Sequence, residues 1–196
     1  MRRIIVSMWT TLDGYVAGSQ DEMPWLALDE RMMEYEISLV NDAEALLLGR
    51  VTHKDFAGAW PSVARDESEA PATRAYAQRV DEMPKIVVSR SGETAAWTNS
   101  SVVESLDADI VTALKRGGDG DLVVYGSLSV IAALRAMDMI DEYHLLVHPT
   151  TIGTGKALFP ADQAPARLRL RSVEPFPSGV ALMRYSPAGE TTEDGR

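Results

Sequence analysis

Cysteine is absent from the 196 residues. That excludes disulfides, thiolate metal ligands and cysteine nucleophiles at once. Histidine is scarce too, and His53, His144 and His148 do not stand at zinc-ligand spacing with nearby carboxylates, so no metal is expected. No apolar run approaches the roughly 20 residues of a membrane span. The opening "MRRIIVSMWTTLDG" carries two arginines, but Ser7, Thr10, Thr11 and Asp13 interrupt it, so it reads as a first strand and not as a signal peptide. Basic residues are outnumbered, 19 Lys and Arg against 29 Asp and Glu, for a formal net charge of −10. Nucleic acid and anionic membranes call for basic clusters and are therefore not expected as partners. There is no G-x-S-x-G elbow, no G-x-G-x-x-G fingerprint and no Walker loop. These absences predict a soluble cytoplasmic protein, with one domain over 1–186 and a disordered polar tail over 187–196.

What is present alternates between strand and helix. Apolar, β-branched runs at 3–9, 44–49, 85–89, 100–105, 122–126 and 142–150 read as buried strands. Between them, Leu28, Met32, Met33, Ile37 and Val40 recur at helical spacing, and further helices are expected at 51–57, from about Thr73, from Asp107 to Arg116 and over 127–137. "ARLRLRSVEPF" and "SGVALMRYS" alternate in period two about Pro177-Ser178-Gly179, an antiparallel hairpin. The order predicts an α/β fold: an open, mainly parallel twisted sheet, helices on both faces and a C-terminal antiparallel hairpin.

In such sheets ligands bind beyond the carboxyl ends of the strands. Three of those ends carry Gly49-Arg50, Ser89-Arg90 and Gly126-Ser127. Helix N-termini opening there offer backbone N–H groups to a phosphate, and arginine offers a planar fork of donors. Two separated anionic centres suit a phosphorylated dinucleotide better than a single phosphate.

The segments "LLLGRVTHKDF", "KIVVSRS" and "LVVYGSLSVIAAL", in this order, resemble the dihydrofolate reductase fold. "IIVSMWTTLDGYVA" and "HLLVHPTTIGTGKALF" make the chain similar to the RibD C-terminal domain family over about residues 3 to 186. The resemblance implies an NADPH-dependent reductase acting on a small, heterocyclic or ribose-derived substrate, assembled as a homodimer. It implies that Gly49, Arg50 and Thr52 meet the cofactor phosphates, that Ser89 and Arg90 hold the 2′-phosphate, and that Gly126, Ser127 and Leu128 lie under the pyrophosphate. Gly153 and Gly155 match the family's G-x-G loop. Two departures stand out. Ser127 replaces the second glycine of a pair, where it can cap the following helix itself, and Val51 replaces a basic residue found in folate-active relatives, which implies weaker cofactor binding.

For the proton that accompanies a hydride, Asp13 is the candidate by location, and an Asx turn with Gly14 is its structural alternative. Trp9 and Trp25 are candidate walls for a flat substrate, as is Trp60, and Glu34 and Glu30 are candidate substrate contacts on the helix after Pro24-Trp25. A true dihydrofolate reductase would need a buried carboxylate on the 28–40 helix. A dinucleotide-binding module without turnover would lack a substrate-sized cavity. Zinc deaminase chemistry needs cysteines, so the chain is not a complete bifunctional riboflavin enzyme.

Overall fold

The computed structural model describes residues 1–161 and 164–188. Its first strand, β1 (Ile4–Thr11), is followed by a Gly14 turn into β2 (Tyr15–Ala17). Asp29 caps α1 (Glu30–Asp42), its carboxylate accepting from the Met32 N–H, and the chain passes straight into β3 (Ala43–Gly49). Next come α2 (Arg50–Val63), α3 (Pro71–Glu82), β4 (Lys85–Val88) and β5 (Ser100–Val103). Asp107 caps α4 (Ala108–Arg116), which leads to β6 (Asp121–Tyr125), α5 (Leu128–Ala136) and β7 (Glu142–His148). The short β8 (Lys156–Ala157) pairs with β2, and the chain closes with β9 (Leu168–Pro175) and β10 (Ala181–Pro187).

Eight strands form one sheet in the order β5-β4-β3-β6-β1-β7-β10-β9. Six pair in parallel with one another, and β10 runs antiparallel to its neighbours β7 and β9, so seven strands share one direction and β10 alone is reversed. Burial on both faces explains the unbroken apolar runs: Leu46, Leu47 and Leu48 are all fully buried. Each is worth about 1.5–3 kcal/mol of apolar burial. Leu47 packs with Val6, Val124, Ile131 and Leu134 on the α5 face. Leu46 and Leu48 pack with Leu39, Val40, Tyr76 and Val80 on the face that α1 and α3 cover.

The architecture is the expected one, with local differences. α2 runs to Val63, well beyond 57, and contains Pro61 in its last turn at the expense of the one hydrogen bond a Pro61 N–H would have made. Pro71 opens α3 instead of breaking the segment, since its missing N–H is one that a helix start leaves unpaired anyway. Pro187 ends β10 and the Ala188 N–H donates to Arg167 O at 3.0 Å, so the domain extends past 186. Residues 189–196 of the expected tail lie outside the described residues. Among the described residues no helix is long and apolar enough to cross a membrane.

Candidate active site

A cleft of about 1140 Å³ opens at the carboxyl ends of the parallel strands. Ser7, Met8 and Trp9 of β1, Gly49 of β3, Val88 of β4 and Tyr125 of β6 line it, as do the first residues of α2 and α5. All eight residues expected to meet a cofactor border it: Gly49, Arg50, Thr52, Ser89, Arg90, Gly126, Ser127 and Leu128.

Their roles divide. Arg50 and Arg90 are exposed, and among the described residues neither has a hydrogen-bonding or ion-pair partner. Ser127 does not cap α5 as its position suggested. Its Oγ accepts from the Gly49 N–H at 2.7 Å and donates to Thr52 Oγ1 at 3.0 Å, and the Ser127 N–H also donates to Thr52 Oγ1 at 3.1 Å. The two strand ends are thus knitted together, and the N-termini of α2 and α5 face the cleft without side-chain caps. Gly126 sits at φ +65°, where a Cβ would lie 2.9 Å from Thr52 Cγ2, so only glycine fits. Ser89 turns aside; its Oγ donates to Glu93 O at 2.6 Å and closes the turn that presents Arg90.

The other candidates fare differently. Trp9 and Trp60 line the cleft. Trp25 does not: it is buried edge-on against His148, ring centroids 5.0 Å apart. Glu34 is on the exposed side of α1, 3.4 Å from Arg31, and Glu30 is exposed too. Asp13 lies outside the cleft lining. Its carboxylate accepts from Thr11 Oγ1 (2.6 Å), Gly153 N–H (2.8 Å) and Ile152 N–H (3.1 Å). Those donors hold it below the ordinary carboxylate range, the opposite of what a proton donor needs. Asp13 clasps two loops. Gly153 belongs to that clasp, and Gly155 lets the chain pass against Ala17 O, where a Cβ would come within 2.2 Å.

The acid that sequence inspection missed is Glu36. It is 1% exposed on the sheet side of α1. Trp9 Nε1–H donates to its Oε1 at 2.7 Å and Tyr125 Oη–H to its Oε2 at 2.7 Å. Desolvation raises its pKa against those two hydrogen bonds, and no cation contributes. Glu36 therefore stands behind two cleft-lining side chains as a carboxyl group biased toward its neutral form. The signal was available in the periodicity, since Met32, Leu39 and Val40 face the core and Glu36 falls among them.

Beside it, Tyr35 Oη lies 2.8 Å from His144 Nδ1, and His144 Nε2 lies 2.9 Å from Glu142 Oε2. Burial lowers the His144 pKa against the pull of Glu142. His148 is fully buried; its Nδ1 accepts from the Ala27 N–H at 3.1 Å, and desolvation lowers its pKa to about 4. No three His, Asp or Glu side chains among the described residues are grouped to hold a metal ion.

The family model for the RibD C-terminal domain matches residues 2–182. The uncharacterized protein YyaP of Bacillus subtilis (strain 168) is 28% identical over 188 residues, covering 94% of each chain. A pyrimidine reductase-like protein from Corynebacterium diphtheriae superposes with a TM-score of 0.61 at 16% identity, covering 95% of this chain and 92% of that one. A diaminohydroxyphosphoribosylaminopyrimidine deaminase/5-amino-6-(5-phosphoribosylamino)uracil reductase from Thermotoga maritima superposes with a TM-score of 0.64 at 16% identity. There the match covers 95% of this chain but 56% of the longer protein.

Proposed function

The chain belongs to the RibD C-terminal domain family, and from that we propose that it is an NADPH-dependent reductase of a small heterocyclic or ribose-derived substrate. One observation carries the reading: two arginines without partners among the described residues and two uncapped helix N-termini border one cleft that Trp9, Phe56, Trp60 and Tyr125 also line. The residues fit the cofactor. The N-termini of α2 and α5 suit a pyrophosphate, and Arg90 on the Ser89 turn suits a 2′-phosphate.

When bound, NADPH supplies a hydride; the protein supplies position and a proton. Trp9, Phe56, Trp60 and Tyr125 offer flat apolar faces to a ring. With Glu36 neutral, its O–H donates to Tyr125 Oη and frees the tyrosine proton to face the acceptor. Protonation of the reduced centre then leaves Glu36 as carboxylate, and Tyr125 is the group that touches substrate. The chain is proposed to act as a homodimer, since β9 is an edge strand with Leu170 and Val173 half exposed.

A true dihydrofolate reductase is the second reading, because Glu36 supplies the buried carboxylate on α1 that such an enzyme requires. Loss of NADPH absorbance in the presence of 5-amino-6-(5-phosphoribosylamino)uracil or of dihydrofolate separates the two. Oxidation with the first supports the aminouracil reading and with the second the folate reading. Failure of both NADPH and NADH to bind in a fluorescence titration overturns both.

A further inference from the structure

The turn that presents Arg90 has a second anchor, in the interior. His53 follows Thr52 in the first turn of α2 and is fully buried. Its Nδ1 lies 2.9 Å from Thr94 Oγ1, and its Nε2 lies 2.8 Å from Ser100 Oγ on β5. A neutral imidazole has one donor and one acceptor nitrogen and a hydroxyl serves as either, so both bonds are satisfied in either tautomer. Burial, and after it the Lys85 charge, lowers the His53 pKa and keeps the ring in that neutral form. The ring also packs on Trp97, centroids 5.3 Å apart. Trp97 is fixed in turn by its Nε1–H donating to Asp81 Oδ1 at 2.6 Å and by the Lys85 ammonium 4.0 Å from its ring.

Residues 93–97 belong to no helix or strand, so side chains hold this part of the loop in place. Ser89 closes the Arg90 turn on Glu93 O, and the next residue, Thr94, is the one bonded to His53. On the other side of the ring, Thr52 is the residue that Ser127 binds at the cleft. One buried side chain therefore ties the Arg90 loop to the helix whose N-terminus borders the cleft. We propose that His53 is a positioning residue for cofactor selectivity: through Thr94 it fixes Arg90 relative to α2, and so favours a dinucleotide with a 2′-phosphate over one with a free 2′-hydroxyl. Arg90 has no partner of its own among the described residues, so the turn alone sets where its guanidinium starts from. A loose turn must be ordered when the phosphate binds, which lowers affinity; a pinned one is already ordered. A dinucleotide that lacks the phosphate does not meet Arg90 and does not register the difference.

This role rests on reading Arg90 as the 2′-phosphate ligand, and fluorescence titrations of NADPH and NADH test it without turnover. Thr94 is exposed, so Thr94→Val removes one hydroxyl without opening the core. The expected result is a loss of about three- to tenfold in NADPH affinity, the size of one neutral hydrogen bond, with NADH affinity unchanged. In an Arg90→Ala background the same substitution should change neither, because the two residues act as one unit. A second pair of variants divides the two bonds of His53. The amide of asparagine stands where Nδ1 stands, and that of glutamine where Nε2 stands. His53→Asn should therefore discriminate as the wild type does, and His53→Gln as Thr94→Val does. A merely structural histidine predicts that both variants weaken the two dinucleotides alike. Equal losses for NADPH and NADH, a loss that persists without Arg90, or unchanged discrimination in both Thr94→Val and His53→Gln overturns the role of His53 and leaves the cofactor site standing. A wild type that binds neither dinucleotide overturns both.

Discussion

The two ends of the cleft are built on opposite principles. At the ends of β3, β4 and β6, binding capacity lies in backbone N–H groups, glycines and exposed arginines, and the side-chain hydrogen bonds hold the strand ends to one another. Under α1, capacity lies in buried side chains that hold one another: Glu36 with Trp9 and Tyr125, Tyr35 with His144. The first kind of site tolerates loss of a charge with little effect on folding and a large one on binding. The second reverses that ranking, because each removed side chain strands a buried partner.

The sharpest break of this contrast is Glu36→Ala. It leaves Trp9 Nε1 and Tyr125 Oη without acceptors in the interior, for an expected loss of roughly 3–5 kcal/mol of stability. A urea denaturation curve measures it, and Glu36→Gln should recover most of the loss. Stability should respond to alkali as well: the folded pKa of Glu36 is raised, so its contribution is present at acid pH and fades as pH rises past the unfolded value. Glu36→Gln removes that decline.

Acid exposes another buried group. His148 is held neutral down to about pH 4, while the unfolded chain binds its proton near 6.5. Stability is therefore lost as pH falls through that window, by about 3 kcal/mol from this residue. Urea midpoints at both ends of the window should show the loss in the wild type and a smaller one in His148→Gln, where the buried His144 still contributes. At the other end of the cleft, Gly126→Ala forces a side chain into a left-handed backbone and against Thr52, and should cost about 1–3 kcal/mol along with NADPH affinity. Thermal melts and a fluorescence titration read the two effects. The smallest change is expected from Asp13→Asn, which loosens an exposed loop clasp outside the cleft and leaves NADPH affinity where it was.

This contrast also explains what could be read in advance. Gly49-Arg50, Ser89-Arg90 and Gly126-Ser127 were legible because each is a contiguous strand-to-helix or strand-to-turn junction, and parallel strands bring such junctions side by side. The Glu36 site joins residues 9, 36 and 125, and only the register of β1 with β6 and the packing of α1 make them neighbours. Asp13 misled for the complementary reason. Next to Gly14 after the first strand it has the local chemistry of both a catalytic acid and an Asx turn, and its carboxylate instead accepts from the distant residues 152 and 153. Ser127 was placed correctly in the cleft, but its partners Gly49 and Thr52 come from another strand end.

The most direct measurement is a parallel NADPH titration of wild type, Arg90→Ala and Glu36→Gln by fluorescence. A cleft divided as described predicts that Arg90→Ala loses about 10- to 150-fold in affinity, the size of one charged hydrogen bond, with its denaturation curve unchanged, while Glu36→Gln binds as the wild type does. Equal binding by Arg90→Ala and wild type, or loss of binding in Glu36→Gln alone, would contradict the division and place the cofactor elsewhere.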